Sequence, residues 1–299
     1  MGHDKLRKFA ENETFSCLLQ PSADEVLADG FDRLRDHPIK GHWFEDGVEA
    51  TPPSGVRPSG SPHHPFGTVP PLPHRGCDVP QGESLSAFPW ILELGCGTGE
   101  YALELARRNP DRNYVGVDIK GARLWRGAKT ATQEGLQNVR FLRTRIEFIT
   151  AFFAPGEVSE IWLTFSDPQP KSENNRLTSP LFLERYRKML RPGGIIRLKT
   201  DSLFLHEYTK AVVSANGLKV LACTADLYGG WEHLAAAIEP EVREVKTFYE
   251  QMFLEQGVPI TYLAFTIDHE GPFVHPEEKF DAARWRELDD SRRSFGHQG

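Results

Sequence analysis

The sequence predicts an α/β fold built on a doubly wound, mostly parallel sheet. Short apolar runs of strand length alternate with helical segments from Trp90 to about Asp268. A glycine turn, ELGCGTGE, follows the first of these strands. Strands that alternate with helices at this interval are joined by right-handed crossovers, which place helices on both faces of one sheet.

The individual elements can be followed along the chain. The predicted strands are WILEL, YVGVDI, VRFL, VSEIWLTF, GGIIRLKTD, LKVLACTAD and ITYLAFTI. The predicted helices are YALELARR, GARLWRGAKTATQEGL, the short FITAFFA, a helix opened by Ser179 and Pro180, LFLHEYTKAVVSAN and EVREVKTFYEQMFLEQ. A capping serine and a proline in the first turn are typical of a helix start. Apolar residues at helical spacing predict that the last segment, 241–256, is one helix.

Composition divides the 299 residues into four parts. Residues 1–45 mix charges and aromatics and are predicted to form an N-terminal arm. Residues 46–88 are rich in proline, glycine and serine without periodicity, so we expect a mobile insertion. Its three histidines have no carboxylate or cysteine at ligand spacing, which favours no metal site. The α/β domain is predicted at 89–268, and residues 269–299 are an acidic tail.

Charge and cysteine usage indicate the setting of the protein. The net charge is −7, but residues 118–199 hold 15 Lys/Arg against 8 Asp/Glu, so a basic face is compatible with an acidic chain. No apolar run approaches the roughly 20 residues of a membrane span, and the N-terminus lacks a signal-peptide core. The four cysteines are scattered. We therefore expect a cytoplasmic protein without a membrane partner.

The glycine turn has the spacing of an S-adenosylmethionine site. Gly95, Gly97 and Gly99 allow a tight turn and a close approach of a ligand to the backbone. The third glycine of a dinucleotide fingerprint is missing, because position 100 is a glutamate. Asp118 ends the next strand, where it is placed to accept hydrogen bonds from ribose hydroxyls. The alternative is that the glycines only join strand to helix and that Asp118 caps a helix.

The segment LTFSDPQPK, at the end of the fourth predicted strand, resembles the bacterial tRNA (guanine-N7)-methyltransferase family, with Phe165, Asp167, Pro168 and Lys171 matching its motif. The resemblance runs from Trp90 to about Ile267 and includes the DIKGARLWRGAKTA, LRPGG, KTD and TFYE stretches. KLRKFAENETF also looks like the N-terminal leader of a variant of this family. The resemblance implies a Rossmann-like class I methyltransferase fold, S-adenosylmethionine as methyl donor without a metal, and a guanine in the variable loop of tRNA as acceptor.

The resemblance also implies roles for individual residues. The residues implied at the cofactor are Glu93, Gly95, Gly97, Asp118 and Asp167, of which Asp167 is also implied as the catalytic residue. The residues implied at the guanine or the tRNA are Lys171, Asp201, Thr247 and Glu250.

The sequence departs from the family pattern at four places. Ser166 stands where the family has proline, and Gln169 where it has tryptophan. The family's basic cluster after its lysine is replaced by SENNRLTS, in which Arg176 is the only cation. Arg145 stands where an acidic residue is common. The first three lie in residues 165–179, the loop after the fourth predicted strand, which we call the acceptor loop. Arg145 lies beside the expected adenosine.

Elementary chemistry agrees with the catalytic role that the resemblance implies for Asp167. Guanine N7 has an in-plane lone pair and no proton, so its methylation needs no general base. A carboxylate there would hold the guanine and offset the growing positive charge of the ring. Asp-Pro is also a common turn dipeptide, so a purely structural turn is the alternative. A regular RNA helix hides N7, which favours a loop base as the target.

Several alternatives stay open on sequence alone. Basic residues of the 121–136 helix and the next strand either contact phosphates or form a solvated face; these are Arg123, Arg126, Lys129, Arg140 and Arg143. Packing is favoured over base stacking for Trp125. Thr247 and Glu250 also fit a capping box, and Asp201 a helix cap. Other functions are a methyltransferase of this fold for another RNA or a small molecule, or a non-catalytic RNA-binding subunit. Monomer and homodimer are both compatible with the sequence.

Overall fold

The computed structural model describes residues 2–27, 33–43, 89–229 and 238–290. The predicted insertion, 46–88, lies outside these ranges, as do its histidines and the last nine residues. None of the described helices is long and apolar enough to cross a membrane.

The described residues contain eight strands and nine α-helices. The strands are β1 Leu18–Leu19, β2 Trp90–Leu94, β3 Asn113–Asp118, β4 Val139–Arg143, β5 Val158–Thr164, β6 Leu190–Thr200, β7 Val220–Thr224 and β8 Thr261–Thr266. The helices are α1 Gly2–Asn12, α2 Ala23–Val26, α3 Glu100–Arg108, α4 Gly121–Glu134, α5 Pro180–Arg187, α6 Leu203–Ala215, α7 Glu241–Glu244, α8 Phe248–Glu255 and α9 Ala282–Trp285.

All eight strands form one sheet in the order β1-β4-β3-β2-β5-β6-β8-β7. The first six strands of this order run parallel, and β8 is antiparallel to both β6 and β7. The chain moves outward from β2 in one direction and then returns to start β5 on its other side, so the strand order reverses between β2 and β5. This arrangement confirms the predicted doubly wound, mostly parallel fold and puts the ligand crevice beyond the carboxyl ends of these two strands.

Successive residues of a strand belong to two different hydrophobic clusters, one on each face of the sheet. Leu92 and Leu94 join the cluster under α5 and α6, whereas Ile91 joins the cluster under α3 and α4. The period of two along a strand explains this division, because successive side chains point to opposite faces. Both faces are therefore covered, as a parallel sheet requires.

The predicted single helix over 241–256 is wrong: the chain forms α7 and α8, separated by three extended or irregular residues. Thr247 is extended and caps α8, its Oγ1 accepting from the backbone N–H of Glu250 at 3.2 Å. The buried Nζ of Lys199 accounts for the break from the other side, because it binds the carbonyls of Val242 and Val245 at 2.7 and 2.9 Å. A distant side chain thus takes the place of helical hydrogen bonds.

Residues before 89 and after 268 also pack against the sheet. Trp43 stacks on Phe153 with ring centroids 5.0 Å apart, and its indole N–H donates to the carbonyl of Phe152. Phe273 and Phe280 lie in the cluster under α5 and α6. Strand β1, which the sequence did not predict, adds an edge next to β4. The boundaries at 45, 88 and 268 stay a prediction. Among the described residues, Trp43 before the insertion and Phe273 and Phe280 after residue 268 contribute to the core.

Candidate active site at the carboxyl edge of the sheet

The glycine turn between β2 and α3 is left-handed at three positions. Gly95, Gly97 and Gly99 have φ of 80°, 59° and 74°. A Cβ at Gly99 would overlap the ring of Phe141, whose Cζ would be 2.9 Å away. At Gly95 and Gly97 a Cβ would meet nothing within 4 Å, so open space adjoins the backbone there. Gly99 is therefore needed for packing, and the other two face a crevice that suits a cofactor.

Asp118, at the end of β3, holds this turn in place. One carboxylate oxygen accepts from the N–H of Gly97 at 3.0 Å, and the other accepts from the N–H of Lys120 at 2.7 Å. The N-cap of α4 is Lys120, so Asp118 is not the helix cap that the alternative reading required. Each oxygen keeps a lone pair, which leaves capacity for a ribose hydroxyl.

Glu93 is buried in β2 and connects three elements. Its Oε1 accepts from the hydroxyl of Thr164 at the end of β5 at 2.6 Å, and its Oε2 accepts from the N–H of Ala102 in the first turn of α3 at 3.0 Å. Burial raises the pKa of Glu93 to about 7, against the lowering effect of these two hydrogen bonds. Glu93 thus holds the start of α3 against the end of β5, next to the crevice.

Asp167 lies on a strained loop directly after β5. Phe165 and Gln169, on either side of it, have φ of 51° and 47°, which is rare for residues other than glycine. The ring of Phe165 stacks on that of Phe253, with centroids 6.2 Å apart. One Asp167 oxygen accepts from the N–H of Gln169 at 2.9 Å, and the side chain is otherwise exposed. The predicted turn exists, and it presents the carboxylate at the surface; backbone strain of this kind concentrates at functional sites.

Asp201 follows β6 and is half-buried. The N-cap of α6 is its neighbour Ser202, whose Oγ accepts from the N–H of Leu205 at 3.1 Å. Ser202 in turn donates to Asp289, which also accepts from the N–H of Phe204 at 3.0 Å. Helix capping is therefore carried out by Ser202 and Asp289, so Asp201 is not the cap of α6.

Thr247 and Glu250 reach this edge through α8. The N–H of Phe248, next to Thr247, donates to the carboxylate of Glu100 at 3.0 Å, which joins α8 to the start of α3. Glu250 is fully buried, and its Oε1 accepts from Lys199 at 2.8 Å and from the hydroxyl of Tyr228 at 2.5 Å. Only the threonine half of the predicted capping box is present, because the glutamate is bound to Lys199 instead.

Topology thus brings most of the predicted site residues to one edge. Gly95, Asp118, Asp167 and Asp201 follow the carboxyl ends of four parallel strands. Lys171 is exposed on the loop that carries Asp167. The described residues contain no group of three or more His, Cys, Asp or Glu side chains arranged to hold a metal ion.

Comparison with known proteins decides the family. Residues 87–262 match the family model described as "Putative methyltransferase". The chain is 50% identical over 206 residues to the tRNA (guanine-N(7)-)-methyltransferase of Bacteroides thetaiotaomicron, covering 69% of this chain and 79% of that protein. It is 42% identical over 266 residues to the enzyme of the same name from Christiangramia forsetii, covering 88% and 98%.

The chain belongs to the tRNA (guanine-N7)-methyltransferase family. Its fold is that of an S-adenosylmethionine-dependent methyltransferase, in agreement with the glycine turn and the strand order.

In this member of the methyltransferase family, the only cation of SENNRLTS, the segment after Lys171, is not available to a ligand. Arg176 is buried, donates to the carbonyl of Phe280 at 2.7 Å and lies over the rings of Phe204 and Tyr208. Burial lowers the pKa of its guanidinium. The cation that stands in place of the family's basic cluster therefore fixes the loop to the C-terminal segment.

In this methyltransferase, Trp125 and Lys129 of α4 pack against α1. The indole N–H of Trp125 donates to Glu11 of α1 at 2.8 Å, and Lys129 donates to the same carboxylate at 2.9 Å. Arg7 and Lys8 of α1 lie over the Trp125 ring. These contacts agree with the packing interpretation of Trp125 and assign Lys129 to the interface between α1 and α4.

Sequence reasoning missed Lys199 and Tyr228, which bind Glu250. A signal for Lys199 was present, because it lies in IIRLKT, a predicted strand of the sheet, where a buried charge demands a partner. Tyr228 carried no comparable signal. Both act on Glu250 from elements far away in sequence.

Proposed function

We propose that this methyltransferase transfers the methyl group of S-adenosylmethionine to N7 of a guanine in the variable loop of tRNA. The proposal rests on family membership and on one observation: the exposed carboxylate of Asp167 follows β5, beside the crevice at Gly95 and Gly97. These lie on either side of the point where strand order reverses.

The cofactor would supply an electrophilic methyl group, and the chain holds and orients it. Asp118 would accept from the ribose hydroxyls, while the turn at Gly95 and Gly97 would lie against the cofactor. Glu93, whose carboxylate is bound by Thr164 and Ala102, supports the turn from within the sheet. No residue needs to accept a proton from guanine N7, and no metal is needed, because alignment provides most of the acceleration.

Asp167 would position the guanine and offset the positive charge that the ring acquires. One of its oxygens is held by the N–H of Gln169, so the orientation of the carboxylate is fixed before substrate arrives. Lys171, exposed four residues further on, would contact a phosphate of the tRNA. Asp201 and Thr247 would bind the substrate from β6 and α8. For Glu250 we propose the indirect role of fixing α8, since its carboxylate is buried against Lys199 and Tyr228.

The test is methylation of unmodified tRNA transcripts with radiolabelled S-adenosylmethionine, followed by mass spectrometry of the nucleosides. We expect 7-methylguanosine from a transcript with a variable-loop guanine and none from the same transcript with adenine at that position. Incorporation should persist in EDTA. A methylated nucleoside other than 7-methylguanosine, or equal labelling of both transcripts, would assign the enzyme to another RNA target. Binding of cofactor without any labelling of tRNA would favour a small-molecule substrate.

A further inference from the structure

A cleft of about 730 Å³ extends from the candidate active site along the outer face of α3. It begins at Thr98, in the glycine turn, and continues between α4 and the segment that contains α7 and the start of α8. Its walls include Arg126 of α4, and Lys246 and Phe248 from the α7–α8 segment. The cleft adjoins the predicted site through Thr98, which lies between Gly97 and Gly99, and through Phe248, which follows Thr247.

Two large aromatic side chains project from the first turn of α8 beside this cleft. Phe248 is 66% exposed and Tyr249 is 55% exposed. Their rings pack edge to face, with centroids 5.9 Å apart and an angle of 73° between the planes. Single exposed hydrophobic residues are ordinary, but a contiguous exposed pair at a functional edge is typical of a binding surface.

The pair is held on a rigid support. Thr247 caps α8, and the N–H of Phe248 donates to Glu100 at the start of α3. Two residues later, Glu250 is bound by Lys199 and Tyr228 in the protein interior. The backbone that carries the two rings is therefore fixed before a ligand arrives, which lowers the entropic cost of binding.

The charges of the cleft favour a polyanion. Its acidic side chains already have partners: Glu104 binds Arg107 and Arg108, Glu244 binds Arg108, and Glu100 accepts from Phe248. In contrast, Arg126 and Lys246 form no ion pair with any residue that the structure describes. The ring of Tyr228 lies under the Lys246 ammonium at 4.6 Å, which positions the side chain without neutralising it. Two cations beside exposed aromatic rings match single-stranded RNA.

We propose that Phe248 and Tyr249 form a stacking platform for an unpaired base of the tRNA next to the acceptor guanine, and that Arg126 and Lys246 bind the adjoining phosphates. This proposal rests on the proposed function, because it takes tRNA as the substrate. Bases of single-stranded RNA stack on aromatic side chains regardless of their identity, so the platform would hold the loop in position without selecting a sequence.

The experiment measures tRNA dissociation constants and their salt dependence for the full chain with an unmodified tRNA transcript. Phe248→Ala should weaken binding about tenfold, and Phe248→Trp, which keeps an aromatic face, should bind as the wild type does. Leu181→Ala is the matched control, since Leu181 is also exposed, at 45%, but lies on α5. Because Phe248 is largely solvent-exposed, its truncation should leave the melting temperature and cofactor affinity unchanged.

The salt dependence of tRNA binding tests the phosphate contacts proposed for Arg126 and Lys246. Arg126→Gln and Lys246→Gln should each reduce the slope of log Kd against log salt by about one, while the exposed Lys188 on the opposite face serves as control in Lys188→Gln. If the wild type methylates tRNA but Phe248→Ala and both glutamine variants keep its Kd and slope, the platform is refuted and the proposed function stands. A wild type that neither binds nor methylates tRNA overturns the proposed function and the platform together.

Discussion

The ammonium of Lys199 and the carboxylate of Glu250 lie 2.8 Å apart, and neither side chain is exposed to solvent. Lys199 is the second-last residue of β6, and Glu250 lies in the first turn of α8, so this ion pair joins the core of the sheet to the surface that carries Thr247. The Tyr101 ring of α3 lies 5.2 Å from the same ammonium. Burial lowers the pKa of Lys199 to about 8, and Glu250 opposes that shift. The pair thus fixes α8 beside the candidate active site.

Removal of one partner of this pair should be far more costly than removal of both. Lys199→Met leaves the carboxylate of Glu250 buried without a cation, so the free energy of unfolding should fall by roughly 3–5 kcal/mol. The double variant Lys199→Met/Glu250→Gln contains no buried charge here and should recover most of that loss. Urea unfolding of the wild type, both single variants and the double variant measures the coupling. Additive losses in the double variant would show that the pair does not act as a unit.

Glu93 should make stability depend on pH. Its pKa is raised from 4.5 in the unfolded chain to about 7 in the fold, so the unfolded state loses its proton first. The contribution of Glu93 to the free energy of unfolding therefore falls as pH rises from 4.5 to 7, by about 2–3 kcal/mol, and is constant above.

Glu93→Gln removes this titration while keeping the shape of the side chain. Relative to the wild type, the variant should gain about 2 kcal/mol of stability between pH 5 and pH 8. Denaturant unfolding at several pH values measures this gain. Parallel stability profiles of variant and wild type across that range would contradict the raised pKa.

Gly99 should tolerate a side chain less well than another glycine of the same backbone conformation. Gly99 and Gly135 both have positive φ, but only at Gly99 would a Cβ overlap a neighbour, the ring of Phe141. Gly135→Ala should therefore cost about 1–2 kcal/mol from the backbone alone. Gly99→Ala should cost more and should also weaken cofactor binding, because the start of α3 must shift. Equal losses in the two variants, from thermal melts and calorimetry, would show that the close approach to Phe141 is not limiting.

Asp118 should contribute directly to cofactor affinity. Asp118→Ala removes the expected ribose acceptor and the hydrogen bond to Gly97, so binding of S-adenosylmethionine should weaken by roughly 2 kcal/mol. Asp268→Ala is the control, because Asp268 accepts from the N–H of Gly193, outside the candidate site. Calorimetric titration of both folded variants makes the comparison. Wild-type affinity in Asp118→Ala would refute the assignment of the ribose contact.

Sequence reasoning was effective where the determining interactions are local. The strand ending at Leu94, the glycine turn and Asp118 depend on short-range patterns of apolar residues, glycines and a spaced carboxylate. The parallel arrangement of the strands can be predicted as well, and it brings the residues that follow them together, because parallel strands all end at one edge of the sheet. Those rules place Asp118, Asp167 and Asp201 at the carboxyl edge, where the structure has them.

The remaining features depend on residues that are distant in the chain. The break after α7 is caused by Lys199, 43 residues before Val242, and the spacing of the apolar residues does not show it. Only the capping pattern at Thr247 indicated a helix start there, and Thr247 does cap α8. Arg176 stands in place of the family's basic cluster after Lys171, but its partner Phe280 is 104 residues away. Glu250 looked like half of a capping box, and the buried ammonium proved to be its partner. Tertiary contacts overrode the local pattern in each case.

The central claim is that Asp167 lies at the methyl acceptor of a tRNA guanine-N7 methyltransferase. The most direct test is single-turnover methylation of a tRNA transcript by the wild type, Asp167→Asn and Asp167→Ala, with 7-methylguanosine quantified by mass spectrometry. The account predicts that the alanine variant binds cofactor but transfers the methyl group about a hundredfold more slowly or worse, with the asparagine variant in between. Formation of 7-methylguanosine at the wild-type rate by both variants would contradict it and place the acceptor site elsewhere in the fold.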